Sequence, residues 1–321
     1  MEIKERNKMS KKTWLITGGF GFIGANLCEQ ISIAFPADKI VIIDNLSSNA
    51  INISVSSFNT FWHNIDIFDY EKVKEVFKKE KPDYVVHLAA KTDVRESLKN
   101  PYETLRENWV GLLNCINIAY YNDVKHFIFA SSCGVVGDVE VAKEDSPINP
   151  QSPYTISKAV GESICDMYSK MNVSFRVSAL RFSNVYGKYS AQKGSVIPKF
   201  INNILNGEFI AINGDGEQTR DFICVEDIAK AMIKVIENKC EGVFCVSTFQ
   251  KTSINEIVEI LAECYGNSIN KKYSPAIEGE VINSIVDNSK IKKAIEFEFD
   301  KDVKKNICDL FNWFLKEAEG I

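Results

Sequence analysis

Two rhythms alternate along the chain, short runs of apolar residues and longer stretches with apolar residues at helical intervals. Trp14 to Ile16 is an apolar run that ends in a cluster of glycines, and Gly24 to Ala34 has helical spacing. Together they predict a strand, a tight turn and a helix. Ile40 to Ile43 predicts a second strand, Tyr70 to Lys79 a helix whose Lys and Glu residues suit a solvated face, and Tyr84 to Leu88 a third strand. Helical spacing returns at Leu105 to Tyr120 and Tyr154 to Met171, and apolar runs at Phe127 to Ala130 and Phe175 to Phe182. Strands this uniformly apolar, separated by helices, imply an α/β fold on a doubly wound parallel sheet covered on both faces.

After Tyr186 the rhythm loosens. A helix is predicted around Ile197 to Leu205, a short strand at Phe209 to Ile212, and a turn at Asn213-Gly214-Asp215-Gly216. Val225 to Ile236 and Val243 to Ser247 again read as helix and strand of the main sheet, and the tail from Ser253 to Ile321 is helical at both ends. The expected division is a large domain of residues 13–186 plus about 222–250, and a smaller, mixed α/β C-terminal lobe of 187–221 plus about 251–321. Residues 1–12 read as a flexible tail without the apolar stretch of a signal peptide.

Composition narrows the function classes. The 321 residues are 45% hydrophobic and 25% charged, an ordinary globular balance. A net charge of -5 gives no electrostatic reason to expect nucleic acid or an anionic membrane. No apolar run approaches the roughly 18 residues of a membrane span, so a small-molecule substrate is expected. The 9 cysteines are an odd number, scattered and without Cys-x-x-Cys, which suggests reduced thiols in a cytoplasmic protein. His63, His87 and His126 stand at no ligand spacing, so no metal site is expected.

The chemistry begins at Gly18-x-x-Gly21-x-x-Gly24, which follows the first strand and opens its helix. In that context the glycines read as a dinucleotide fingerprint: one for the turn, one for approach to a pyrophosphate, one for close helix packing. Asp44 ends the second strand, about twenty positions on, where a carboxylate can accept hydrogen bonds from ribose hydroxyls and repel a 2'-phosphate. NAD is therefore the expected cofactor. Tyr154 and Lys158 stand at i, i+4, hence on one helix face, with Ser152 and Pro153 as suitable cap and first-turn residues. An adjacent ammonium and a cationic nicotinamide favour the phenolate, which makes Tyr154 a candidate base for a sugar hydroxyl.

These motifs occur in order with His87-Leu88-Ala89-Ala90, Ala130-Ser131-Ser132, Ser152-Pro153-Tyr154, Leu180-Arg181-Phe182-Ser183-Asn184, Gly214-Asp215-Gly216 with Gln218 to Phe222, and Asp287-x-Ser289-Lys290. The sequence resembles the extended short-chain dehydrogenase/reductase family from about Thr13 to its end. More narrowly, it is similar to that family's NAD-dependent nucleotide-sugar epimerases of the UDP-glucose 4-epimerase type. The resemblance implies a Rossmann-like fold, a nucleotide-sugar substrate, a homodimer and a place in polysaccharide biosynthesis. It implies Tyr154 as base, Lys158 holding both the tyrosine and the nicotinamide ribose, and Ser132 bonding the reacting sugar oxygen. On the cofactor side it implies Gly18, Gly21, Phe22, Ile23, Gly24, Asp44 and Asn45 in the first half of the site. Asp66 and Ile67 would border the adenine, Leu88, Ala89, Ala90 and Lys91 the diphosphate and ribose, and Asn108 and Ser131 the sheet ends near the nicotinamide. On the substrate side it implies Arg95, Ser132, Cys133, Asn184, Val196, Arg220 and Ser284, with Asn184 and Arg220 on the diphosphate. His87 reads as structural.

The implied reaction is epimerisation at C4 through a transient 4-keto sugar. The alternatives are a 4-ketoreductase or a 4,6-dehydratase of deoxysugar synthesis. Cys133 and Gly134 stand where dehydratase relatives place Asp and Glu, so elimination lacks its acid and base, and Cys133 reads as a small filler. Val136 replaces a usual tyrosine. Ile277 stands where an arginine on the diphosphate is usual, with Lys271 or Lys272 as candidate substitutes, and Asn213 where an aromatic residue often contacts the base. Ser284 falls where glucose-specific relatives place a bulky aromatic, which would leave room for an N-acetyl group at C2.

Overall fold

Seven strands form one parallel sheet, which runs from Gly242–Val246 at one edge through Arg176–Phe182, His126–Ser132, Tyr84–His87, Thr13–Thr17 and Lys39–Asp44 to Thr60–Asn64 at the other. The computed structural model describes residues 11–47, 59–276 and 283–319. The strands of the sheet are β1 (Thr13–Thr17), β2 (Lys39–Asp44), β3 (Thr60–Asn64), β4 (Tyr84–His87), β5 (His126–Ser132), β6 (Arg176–Phe182) and β11 (Gly242–Val246). Chain order runs outward from β1 to β3 on one side and from β4 to β11 on the other. The crevice between the carboxyl ends of β1 and β4 is thus the switch point at which such sheets take ligands.

The helices that matter here are α1 (Phe22–Ala34), α2 (Tyr70–Glu80), α3 (Val94–Lys99), α4 (Pro101–Tyr120), α5 (Pro153–Met171), α6 (Val196–Leu205), α7 (Val225–Glu237), α8 (Ile254–Tyr265), α9 (Ser289–Ile295) and α10 (Val303–Glu319). One core lies on the sheet face covered by α1, α7 and α9, with Leu27, Ile31, Ile228, Met232 and Ile291 against Ile16, Ile42 and Ile128. On the other face α2, α4 and α5 bring Phe77, Leu112, Ile116 and Cys165 onto Leu15, Val85 and Phe127. The doubly wound, Rossmann-like architecture expected from the alternation is present.

Sequence and structure differ at particular places. The edge strand β3 is absent from the prediction because Thr60, Phe61, Trp62, His63 and Asn64 are mixed in polarity and none of them is fully buried. The six-residue helix α3 is too short to show a period, and is started by Asp93, whose Oδ1 accepts from Glu96 N–H at 2.9 Å. In the C-terminal part, Ile257, Leu261, Ile307, Phe311 and Phe200 share a separate core, whereas Ile291, Ile295 and Phe299 pack into the core of the main sheet.

The expectation of reduced thiols is corrected for one pair. Cys264 on α8 and Cys308 on α10 form a disulfide with Cα atoms 5.2 Å apart. Their separation of 44 residues hides the pairing in the sequence, and only the packing of the two helices brings them within bonding range. The other seven cysteines are free. No helix among the described residues is long and apolar enough to cross a membrane.

Candidate active site

The turn after β1 takes its shape from contacts a side chain would destroy. Gly18 has φ +70°, and a Cβ there would lie 2.8 Å from Ala89 N; at Gly24 it would lie 2.3 Å from Gly18 O. The turn is therefore pressed against both the second βα loop and its own helix. Gly21 caps α1 in extended conformation without a side-chain hydrogen bond, and the first turn holds no acidic residue. Its first N–H groups thus lack a side-chain acceptor and face a cavity of about 400 Å³, an arrangement suited to a phosphate.

That cavity is bordered by Gly18, Gly21, Phe22, Ile23, Gly24, Asp44, Asn45, Asp66, Ile67, Leu88, Ala89, Ala90, Lys91, Asn108, Ser131, Tyr154 and Lys158, so every residue expected on the cofactor side lines it. Asp44 is buried, its oxygens accepting from Phe20 N–H at 3.0 Å and Leu46 N–H at 2.8 Å. Each oxygen keeps a lone pair for a ribose hydroxyl. Asn45 Nδ2 donates to Asp66 Oδ2 at 2.9 Å, which joins the two loops at the adenine end. Lys91 contributes backbone rather than charge, because its Nζ is held by Glu103 at 2.6 Å and Glu107 at 3.3 Å.

Asn108 ties the cavity wall to α5. Its Oδ1 accepts from Lys91 N–H at 2.8 Å, and its Nδ2 donates to Lys91 O at 3.0 Å and to Ser157 Oγ at 2.8 Å. Ser157 in turn donates to Tyr154 O at 2.6 Å. The start of α5 is fixed by a capping box between Ser152 and Thr155. From that rigid turn Lys158 Nζ lies 5.7 Å from the Tyr154 ring centre and 4.9 Å from that of Phe129. Burial pushes the Tyr154 phenol up to about 12, partly offset by a hydrogen bond with the Ser132 side chain. Burial also pulls Lys158 down to about 8. His87 is buried between Phe127 and Phe129, its Nδ1 2.9 Å from Thr17 Oγ1, and desolvation together with the Lys158 charge lowers it to about 3. It is a neutral, structural side chain, as expected.

Behind this group lies a buried ion pair that sequence reading missed. Arg181 donates to both oxygens of Glu162, from Nε at 2.9 Å and Nη2 at 2.8 Å, and from Nη1 to the carbonyls of Lys143 and Glu144. Ser131 Oγ donates to Glu162 Oε1. The signal was available: Glu162 stands at i+4 from Lys158, on the same face of α5.

A second cavity of about 440 Å³ meets the first at Thr92 and Gly194. Among the described residues it is bordered by Arg95, Asn184, Val196, Lys199, Asn213 and Arg220 and by no carboxylate. The pairing of β7 (Asn184–Tyr186) with β10 (Phe222–Cys224) sets Asn184 beside the Arg220 strand end. Asp221 is fully buried and accepts from Thr248 N–H at 3.0 Å, Thr248 Oγ1 at 2.8 Å and Val286 N–H at 3.3 Å. Burial pushes its carboxyl up to about 6 against the pull of those donors.

Three expected substrate residues stand outside both cavity linings: Ser132, whose Oγ accepts from Gly134 N–H at 3.2 Å, Cys133 and Ser284. Cys133 donates to Arg181 O at 3.2 Å, and Ser284 donates its N–H to Thr219 O at 3.2 Å. Lys271 and Lys272 place their ammonium groups over the rings of Tyr273 and Phe209 and do not border the cavity. Ile277 to Glu280 lie outside the described residues.

The family model described as NAD dependent epimerase/dehydratase matches residues 14–246. The chain belongs to that family. As an NAD dependent epimerase/dehydratase it has a cavity that fits its cofactor: an uncapped helix end, a buried carboxylate at the ribose position and a glycine turn with no room for side chains. Among solved structures, it is similar to the Thermotoga maritima UDP-glucose 4-epimerase with UDP-glucose, at 30% identity and TM-score 0.88, covering 95% of this chain and 99% of that one. A UDP-N-acetylglucosamine 4-epimerase from Methanobrevibacter ruminantium, in complex with UDP-N-acetylmuramic acid, is 32% identical with TM-score 0.86, over 96% and 100% of the two chains. The Thermus thermophilus UDP-glucose 4-epimerase in complex with NAD is 27% identical with TM-score 0.87, over 94% and 99%.

Proposed function

We propose that the chain interconverts the C4 epimers of a UDP-sugar, with UDP-N-acetylglucosamine and UDP-N-acetylgalactosamine as the leading pair and UDP-glucose and UDP-galactose next. The observation that carries this reading is Tyr154 and Lys158 in the wall of the cofactor cavity, with the Ser132 side chain hydrogen-bonded to Tyr154 and no carboxylate at positions 133 and 134. Tyr154 takes the proton of the C4 hydroxyl, Ser132 holds that oxygen, and Lys158 favours the phenolate by its charge. NAD bound in the first cavity supplies a hydride acceptor that is restored each turnover. Asn184 and Arg220 hold the diphosphate in the second cavity while the sugar turns.

A dehydratase requires a further acid and base. Burial pushes the Cys133 thiol well above its usual range, so it is a poor proton donor. At Gly134 a Cβ would lie 2.8 Å from Thr155 Cγ2, and Thr155 is held by the capping box of α5, so a side chain there would strain the start of the catalytic helix. Incubation with a panel of UDP-, GDP-, CDP- and dTDP-sugars, products resolved by NMR, tests the reading. A C4 epimer without net reduction of NAD supports it. A 4-keto-6-deoxy sugar, or stoichiometric use of reduced nucleotide on a keto sugar, would overturn it.

Ser284 borders neither cavity, but its N–H is bonded to the carbonyl of Thr219, next to Arg220 on the wall, so the acetamido argument requires that a large ring at this position reach the cavity from beside it. Ser284→Tyr should lower kcat/KM for UDP-N-acetylglucosamine relative to UDP-glucose at least ~10-fold, about 1.4 kcal/mol of differential transition-state binding. Equal losses on both sugars would remove the acetamido argument.

We also infer a homodimer. Val110 and Leu113 on α4 and Ile156, Val160, Met167 and Met171 on α5 are exposed on two helices that pack together, and those on α5 recur at helical spacing as one stripe. A second copy covers such a stripe with its own. Sedimentation should give twice the 36.2 kDa chain mass for the wild type and a shift toward monomer for Met167→Glu. A monomeric wild type would refute the dimer.

A further inference from the structure

We propose that Lys193 is a positioning residue that holds a phosphate of the nucleotide bound at the junction of the two cavities. The inference rests on the reading above and adds a residue to it. Lys193 borders the cofactor cavity, and its Nζ lies 3.1 Å from the hydroxyl of Thr92, a residue common to both cavities. The contact spans 101 residues of sequence and joins the loop after β4 to the loop after β7.

The other cations of the cofactor cavity are committed. Lys91 is held by Glu103 and Glu107, and Lys158 lies over the rings of Tyr154 and Phe129. For Lys193 the contact at hydrogen-bond distance is a neutral hydroxyl. Asp93 acts on it from farther away, and crowding around the ammonium holds its pKa below the usual lysine range although the residue as a whole is exposed. A crowded ammonium resting on a neutral partner gains most from an anion.

The loop that carries it is fixed. Asn26 Nδ2 donates to Lys188 O at 2.9 Å, Ser190 Oγ to Gly187 O at 2.6 Å, Asn202 Nδ2 to Ala191 O at 2.7 Å, and Lys193 N–H to Ser190 O at 2.8 Å. Tyr189 adopts φ +65°, a left-handed conformation rare outside glycine, with its ring 5.4 Å from that of Trp313 on α10. Asn26 belongs to α1, so the loop is anchored one turn beyond the uncapped helix end that faces the cofactor's diphosphate. In the reading above the cofactor's diphosphate would lie on one side of the junction and the substrate's on the other, and either would supply the phosphate.

The test measures NAD and UDP binding to nucleotide-depleted protein by calorimetry at several salt concentrations, for wild type, Lys193→Met and Lys193→Arg. Lys193→Met should weaken one ligand about 10-fold or more, the scale of a charge-assisted hydrogen bond, and flatten the salt dependence of that ligand. Lys193→Arg should retain most of the affinity. Loss confined to NAD assigns the cofactor's phosphate, and loss confined to UDP assigns the substrate's. Affinities within 2-fold of wild type for both ligands, with unchanged salt slopes, would overturn the role of Lys193 while leaving the epimerase reading intact. A wild type that binds neither ligand would overturn both.

Discussion

Replacing Tyr154 by Phe should lower turnover at least ~100-fold, about 2.7 kcal/mol of barrier, with NAD affinity and melting temperature close to wild type. In the proposed reaction the phenol takes the sugar proton, and in the cofactor-free protein burial keeps it protonated, near pKa 12. The cationic nicotinamide and Lys158 must bring it down, so the wild-type rate should also rise with pH across the neutral range. Single-turnover absorbance at the reduced-nicotinamide band, read against pH, checks both. Near-native turnover in the Phe variant would mean that another group is the base.

The second large effect concerns stability. Glu162→Ala leaves the Arg181 guanidinium, only 3% exposed, buried without its carboxylate, and should cost about 3–5 kcal/mol in urea unfolding. Replacing both partners by apolar residues of similar volume should cost much less, because no charge is then stranded. A single-variant cost under about 1 kcal/mol would show that the carbonyls of Lys143 and Glu144 suffice for Arg181. Because Ser131 donates to the same carboxylate, the pair holds the end of β5 from which Ser132 projects.

What could be read in advance follows from how local each signal is. The sheet was legible because β1, β2, β4 and β5 are built around short, nearly continuous apolar runs, and the cofactor site because its glycines and Asp44 lie within one βαβ unit. Tyr154 and Lys158 were legible because helical spacing alone puts them on one face. Glu162 shares that face, yet its meaning depends on Arg181 from β6, and no local pattern announces a partner across the sheet. Cys264 with Cys308 and Lys193 with Thr92 are contacts of the same kind, made by tertiary packing between distant segments. Arg220 borders the second cavity, whereas its neighbour Asp221 turns inward to Thr248 and Val286, a difference that no local pattern announces. Ser284 stands next to the wall of that cavity, on the backbone of Thr219, but not in it.

The bare amino end of α1 has a thermodynamic consequence. A helix whose first turn has neither a capping side chain nor an acidic residue is completed by whatever anion settles there, so the dinucleotide acts as part of the folded structure as well as part of the chemistry. Ligand that binds only the native chain stabilises it by RT ln(1 + [L]/Kd), about 2.7 kcal/mol at a hundredfold excess over Kd. In a cell the stability of this protein would then rise and fall with the NAD pool.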